Sequence, residues 1–317
     1  MPHEEHRDNP HPSRVVPPHD PVFLVGPTAV GKTGVAIEVA ERMGAEILSL
    51  DSRQIYRHLE LGTAKPTAGE QARVRHHLID LYEPTERISA VRVAADFALA
   101  AAEVRSRGHR VLAVGGSGLY VDACLGRLDP MPPRSPAHRA EHARIRETEG
   151  TPELHRRLSA VDPESAARLS PHDFVRISRA LEVYAVSGRP MSSLRRRPET
   201  LDLTDGPPMV LLVRGRDELY ERIEERARAM LEAGLLREIE RLLAAGFAPD
   251  SPAFESIGYS EFADALRGER SLEGAIEEFI RRTRRYAKRQ ITWFRNRYRG
   301  VRTLTIAPGE EPALTAD

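Results

Sequence analysis

Val22 to Val25 is an unbroken apolar run that stops at a glycine, the pattern of a short strand buried on both faces. Within Thr33 to Met43, Val35, Ala36, Val39 and Ala40 recur at helical spacing, and Ala45 to Leu50 reads as a second strand. This order predicts parallel strands joined by a right-handed crossover, with the second beside the first. The alternation continues with a short strand at His77 to Leu81, a helix at Ser89 to Ser106 and a buried strand at Val111 to Val114. Prolines 130, 132, 133 and 136 then break the chain, and Pro207-Pro208 break it again. Between them the pattern is helical, polar and without a strand signal. Met209 to Val213 reads as a strand returning to the sheet, and Val301 to Ile306 as a last one. Long helices are predicted at Asp217 to Leu231, Leu235 to Ala245 and Leu272 to Arg297. The expected class is α/β: a parallel sheet of the P-loop NTPase type flanked by helices, built from 21–129 and 205–317, with an all-helical insert at 130–204. Residues 1–20 hold five prolines and four histidines without a hydrophobic period, and read as a disordered tail.

Composition changes this picture in one respect. Lys plus Arg and Asp plus Glu both number 47, so the formal net charge is zero. Yet Arg281 to Arg302 carries ten basic residues and no acid, with Tyr286, Trp293, Phe294 and Tyr298 interleaved. A neutral chain with one concentrated basic segment points to a polyanion at a defined place. Arg281, Arg285 and Arg289 recur every four residues and would form one stripe, against which stand a plain solvated face or pairing with Glu277 and Glu278. Trp293 and Phe294 fit a core-facing side. No apolar run approaches the roughly 18 residues of a membrane span, and no signal core follows the N-terminus. A single cysteine, Cys124, excludes an internal disulfide and a zinc ribbon. A cytoplasmic setting is expected.

The candidate chemistry starts at Gly26-Pro27-Thr28-Ala29-Val30-Gly31-Lys32-Thr33, a glycine-rich phosphate loop between a strand and a helix. Its glycines allow backbone angles closed to other residues, so that N–H groups converge on phosphate oxygens at the helix start. Lys32 adds a charge, and the Thr33 hydroxyl can hold Mg²⁺. The loop specifies a polyphosphate without saying which. An NTPase usually has a second strand ending in an acid, but Val111 to Val114 runs into Gly115-Gly116-Ser117-Gly118. The acid at a strand end is Asp51. There it could be a Mg²⁺ ligand, a general base or a helix cap. Tyr56 and Tyr120 read more as core or rim residues than as stacking platforms. His76 and His77, adjacent on a strand, would face opposite ways and make a poor metal site.

Six blocks in order resemble the tRNA dimethylallyltransferases, also called isopentenyl-tRNA transferases. They are the phosphate loop; Asp51-Ser52-Arg53-Gln54-Ile55-Tyr56 followed by Gly62-Thr63-Ala64-Lys65-Pro66; Gly115 to Tyr120; Arg176 to Tyr184; Ser256-Ile257-Gly258-Tyr259; and Lys288 to Arg295. The resemblance spans about 21 to 306. It implies that residues 26–33 hold the diphosphate of dimethylallyl diphosphate, with Thr28, Lys32, Thr33 and Mg²⁺. Asp51 would be the general base on the exocyclic amine of adenosine 37, and Arg176 would lie near the diphosphate. Ser117 stands where many members carry threonine and keeps the hydroxyl. The insert would clasp the anticodon loop. Contacts to tRNA are expected from Asp51, Ser52, Arg53, Gln54 and Ser117, from Arg139, Arg176 and Arg179, and from Arg285, Lys288, Arg289, Gln290 and Arg295. The resemblance also suggests a monomer. A small-molecule P-loop kinase would share the loop and Asp51 but leave the basic run and insert without a use. An adenylate isopentenyltransferase would need no tRNA clamp, and a non-catalytic RNA-binding protein would need neither Lys32 nor Asp51.

Overall fold

A computed structural model describes residues 20–195 and 200–310, so the expected tail lies outside the described residues except for Asp20. The chain divides into two compact units, one of residues 1–126 and 200–317 and the other of 127–199.

The first unit is built on a parallel sheet. Its strands are β1 (Val22–Val25), β2 (Ala45–Leu50), β3 (His76–His77), β4 (Arg110–Gly115), β6 (Met209–Val213) and β8 (Arg302–Thr305), in the order β3-β2-β4-β1-β6-β8. All five pairings are parallel. Phe23, Leu24 and Val25 are buried because β1 lies in the middle of the sheet with helices available to both faces. At about 1.5–3 kcal/mol per large apolar side chain, this central run is a main source of the unit's stability.

Three expectations are corrected. β2 is not beside β1, because β4 lies between them, with Leu50 opposite Gly115 and Val25 opposite the same residue. The strand expected at His77 to Leu81 stops at His77. Leu78 and Asp80 have φ of 62° and 54°, and the chain turns away instead of extending. A two-stranded pair, β5 (Leu201–Asp202) with β7 (Tyr298–Arg299), ties residues 201–202 to the end of the basic helix, so the segment expected to close the insert belongs to the first unit.

The second unit is all-helical. Its core is Ile145, Leu154, Leu158, Ala166, Ile177, Ala180, Val183 and Met191. At its centre Glu182 is fully buried, and it accepts from Ser135 N–H (2.6 Å), Arg139 Nε (3.1 Å) and Arg179 Nη1 (2.6 Å). A buried carboxylate needs such partners.

A buried cluster in the first unit shapes the loop 59–65. Tyr259, fully buried, donates its hydroxyl to Glu238 Oε1 (2.6 Å), while Glu238 Oε2 accepts from Leu61 N–H (2.8 Å). Burial and the neighbouring Glu238 push the Tyr259 phenol well above its ordinary range. Lys65 is buried too, and its ammonium donates to Asp80 Oδ1 (2.5 Å), Glu60 Oε1 (3.0 Å) and Tyr56 O (3.1 Å). Lys65 and Tyr259 of the Gly62–Pro66 and Ser256–Tyr259 blocks are thus held as buried polar packing. Tyr259→Phe leaves one buried carboxylate oxygen without its donor. It should lower stability by about 1–3 kcal/mol, read as a lower urea midpoint with an unchanged slope.

Candidate active site

The phosphate loop joins β1 to the helix Lys32–Met43. Gly31 stands at the helix N-cap with φ of 103° and provides no side-chain cap, so the first N–H groups of the helix are left to a ligand. The loop's carbonyls are drawn outward by cations. Arg222 Nε donates to Ala29 O (2.9 Å), Arg214 Nε to Val30 O (2.9 Å), and Lys32 Nζ to Gly26 O (3.0 Å) and Pro27 O (2.7 Å). Arg226 Nη2 donates to the Thr28 hydroxyl at 2.7 Å. Burial lowers the Lys32 ammonium to about 8, against the pull of Asp51 and with a push from Arg226. The Arg226 guanidinium is lowered for the same first reason. Two desolvated cations beside one carboxylate make a place that needs an anion.

Asp51 follows β2 at the carboxyl end of the sheet, where open α/β sheets bind ligands. Its Oδ1 accepts from Arg53 N–H (2.8 Å) and Gln54 N–H (3.3 Å), a local turn that fixes the carboxylate. The Ser117 hydroxyl accepts from Ser52 N–H (3.1 Å), tying the glycine turn to this segment. Gln54 donates to Ala64 O (3.0 Å) and accepts from Ser49 Oγ (3.0 Å). Arg53 donates to Pro252 O (3.0 Å).

Two cavities meet here. The inner one, about 210 Å³, is lined by Gly31, Lys32, Thr33, Gln54, Gly115, Arg222 and Gln290 among others. The outer one, about 500 Å³, is lined by Ser52, Arg53, Glu255, Glu278, Arg282, Arg285 and Arg289 among others. Thr28, Asp51, Thr63, Arg226 and Tyr286 line both. The phosphate loop and Asp51 therefore share walls, and the outer space carries more arginine than acid. Burial first, and the charge of Asp51 next, push the Tyr286 phenol up to about 12, so it stays protonated.

The helix Leu272–Arg297 supplies one side of both cavities and packs closely on the glycine turn. A Cβ on Gly118 would stand 2.3 Å from the Trp293 ring, so only glycine fits. Phe294 is fully buried, as its expected core role requires. The basic run divides: Arg281 pairs with Glu278, Arg282 with Glu261, Arg284 with Glu224 and Arg297 with Asp122. Arg285, Lys288, Arg289 and Arg295 are exposed.

Other expected site residues fall elsewhere. Gln290 is buried, with both amide atoms engaged by Thr28 and Gly116, and it lines the inner cavity. Tyr56 and Tyr120 are buried as well. Arg139, Arg176 and Arg179 belong to the second unit, and the cavities described are walled without them. Arg139 and Arg179 are engaged by Glu182, and Arg176, 67% exposed, pairs with Asp173 at 3.2 Å. His76 and His77 are bonded separately, near Val74 O (2.8 Å) and Glu46 Oε2 (2.6 Å). The sequence reading missed Arg214, Arg222, Arg226 and Tyr286. The available signal was the four-residue step from Arg222 to Arg226, which puts both on one helix face.

A glycine-rich loop at a helix start, a carboxylate that lines the same two cavities and a cationic outer chamber thus lie together at the carboxyl ends of a parallel sheet. The chain belongs to the IPP transferase family, whose model matches residues 54–297. It is 48% identical over 281 residues to the tRNA dimethylallyltransferase of Halorhodospira halophila, across 88% of this chain and 91% of that one. Among solved structures it resembles the tRNA isopentenylpyrophosphate transferase of Bacillus halodurans, with TM-score 0.64, 37% identity and coverage of 90% and 89%. A eukaryotic dimethylallyltransferase solved acting on tRNA matches with TM-score 0.68 and 25% identity over 90% of this chain and 73% of that one.

Proposed function

We propose that this chain transfers a dimethylallyl group from dimethylallyl diphosphate to the exocyclic amine of adenosine 37 in tRNA, releasing diphosphate. The observation that carries the reading is the wall shared by the loop residue Thr28 and the carboxylate of Asp51. The diphosphate lies in the inner cavity against the N–H groups of residues 31–33, with Lys32 and Arg226 beside it. The extruded adenine of the anticodon loop enters from the outer cavity, and its unstacking is offset by charge contacts to the backbone. The amine nitrogen bonds to the allylic carbon, the carbon–oxygen bond to diphosphate breaks, and Asp51 takes the amine proton. Charge grows on the leaving oxygens, where preorganised donors do most good.

Mg²⁺, when bound, would neutralise part of that charge. Thr33 lines the inner cavity and offers a hydroxyl oxygen, a donor suited to Mg²⁺. Among the described residues no three His, Cys, Asp or Glu side chains cluster for a metal, so most ligands would come from diphosphate and water. No helix among the described residues is long and apolar enough to cross a membrane.

The test is incubation with radiolabelled dimethylallyl diphosphate and either tRNA or AMP, beside an arm with γ-labelled ATP. Prenyl label in tRNA alone supports the reading; label in AMP, or phosphate transfer from ATP, overturns it. Within the same reading, Arg285→Ala should weaken tRNA binding and reduce its salt slope by about one unit, as for one lost phosphate contact. Arg281→Ala, already paired with Glu278, should change the slope far less. Filter binding from low to moderate salt separates the two.

A further inference from the structure

Thr28 is held from two sides. Its N–H donates to Gln290 Oε1 at 2.8 Å, and its hydroxyl accepts from Arg226 at 2.7 Å. The other end of the same glutamine, Nε2, donates to Gly116 O at 3.0 Å. The partners fix the amide's orientation, since an N–H needs the oxygen and a carbonyl needs the nitrogen. Gln290 is 5% exposed and lines the inner cavity. A Cβ on Gly116 would stand 2.1 Å from Nε2, so the glycine turn is shaped around this amide. One buried side chain thus joins the phosphate loop, the glycine turn after β4 and the helix whose Tyr286, one turn earlier, lines both cavities. A buried amide satisfied at both ends is rigid, and freeing either end would leave an unpaired polar group.

We propose that Gln290 is a positioning residue for prenyl transfer: by bridging Thr28 N–H and Gly116 C=O it presets the phosphate loop, so Thr28 meets the diphosphate through its hydroxyl alone. This rests on the reading that the cradle takes diphosphate. The N–H groups of Gly31, Lys32 and Thr33 receive the anion, and the Thr28 N–H stays with Gln290 throughout.

Two measurements test this. In the wild-type chain, amide NMR with inorganic diphosphate and Mg²⁺ should move the signals of Gly31 to Thr33 while the Thr28 amide stays nearly unshifted and slow to exchange. Gln290→Met keeps length and apolar volume but removes both bonds. It should weaken calorimetric binding of inorganic diphosphate about tenfold and raise KM for dimethylallyl diphosphate by a similar factor, with KM for tRNA within about twofold. A Thr28 amide that shifts as far as that of Gly31, or a folded methionine variant that binds diphosphate like the wild type, overturns the inference. Should the variant fail to fold, the wild-type spectra decide alone. Failure of the wild type to bind diphosphate at all would instead sink the polyphosphate reading, and fast exchange of the Thr28 amide would then sink the bridge as well.

Discussion

Asp51→Asn should lower the single-turnover rate of prenyl transfer by about 10²–10³-fold, within the range assigned to a positioned general base, while tRNA affinity stays within about twofold. Asparagine is the informative replacement because Asp51 has two jobs. Its Oδ1 accepts the N–H groups of Arg53 and Gln54, and these bonds set the turn that carries Ser52 and Arg53 into the outer cavity. The amide oxygen of asparagine keeps that acceptor but cannot take a proton. Asp51→Ala loses both functions and should also lose about 1 kcal/mol of stability, as for a missing cap. If the carboxylate served only the turn, Asn would be nearly as active as the wild type and only Ala would fail. If it served only to hold diphosphate or Mg²⁺, the Asn variant would recover its rate at saturating dimethylallyl diphosphate. Single-turnover rates at saturating substrate, beside melting curves of both variants, separate the three outcomes.

What could be read from the chain was local. The phosphate loop showed because its spacing is itself the mechanism, and the helix Leu272–Arg297 showed to the residue because Ser271 caps it and its apolar positions keep a steady period. Neighbour order was not legible. A crossover fixes handedness but not how many strands it passes over, so β4 between β1 and β2 had no local sign. Nor was the choice between a solvated arginine and a structural one. Arg139 and Arg179 look like Arg285 in sequence, but both meet the buried Glu182, which is 43 positions from Arg139 and three along the same helix from Arg179, and Arg285 meets a cavity. Arg226 sits in Glu224-Glu225-Arg226-Ala227-Arg228, which reads as an exposed helix laced with ion pairs. The side chains that complete the site come from helices distant in sequence and are recognised only by what they touch. Gln290, 262 positions from Thr28, is the extreme case.

Arg226→Met should damage function and strengthen the fold. The guanidinium is desolvated beside a second cation, Lys32, and its charged state is held below its ordinary range by that burial, so the ligand-free protein keeps it at a cost. Methionine retains much of the apolar stem, loses one bond to the Thr28 hydroxyl, and relieves the repulsion on Lys32, which still faces Asp51. Removing a desolvated cation that shares the Asp51 carboxylate with Lys32 should raise ligand-free stability by about 1 kcal/mol, the low end for such replacements. Diphosphate then loses a charge-assisted donor of about 1.5–3 kcal/mol, and its affinity should fall by about 10–100-fold. Because that charge grows as the carbon–oxygen bond breaks, kcat should fall with it, not only KM. A higher melting temperature together with weaker diphosphate binding by calorimetry is the expected pair, the usual trade between stability and a strained site. A variant that is both less stable and fully active would show that Arg226 is a structural strut, and would move the anion's main partner to Lys32 and Arg222.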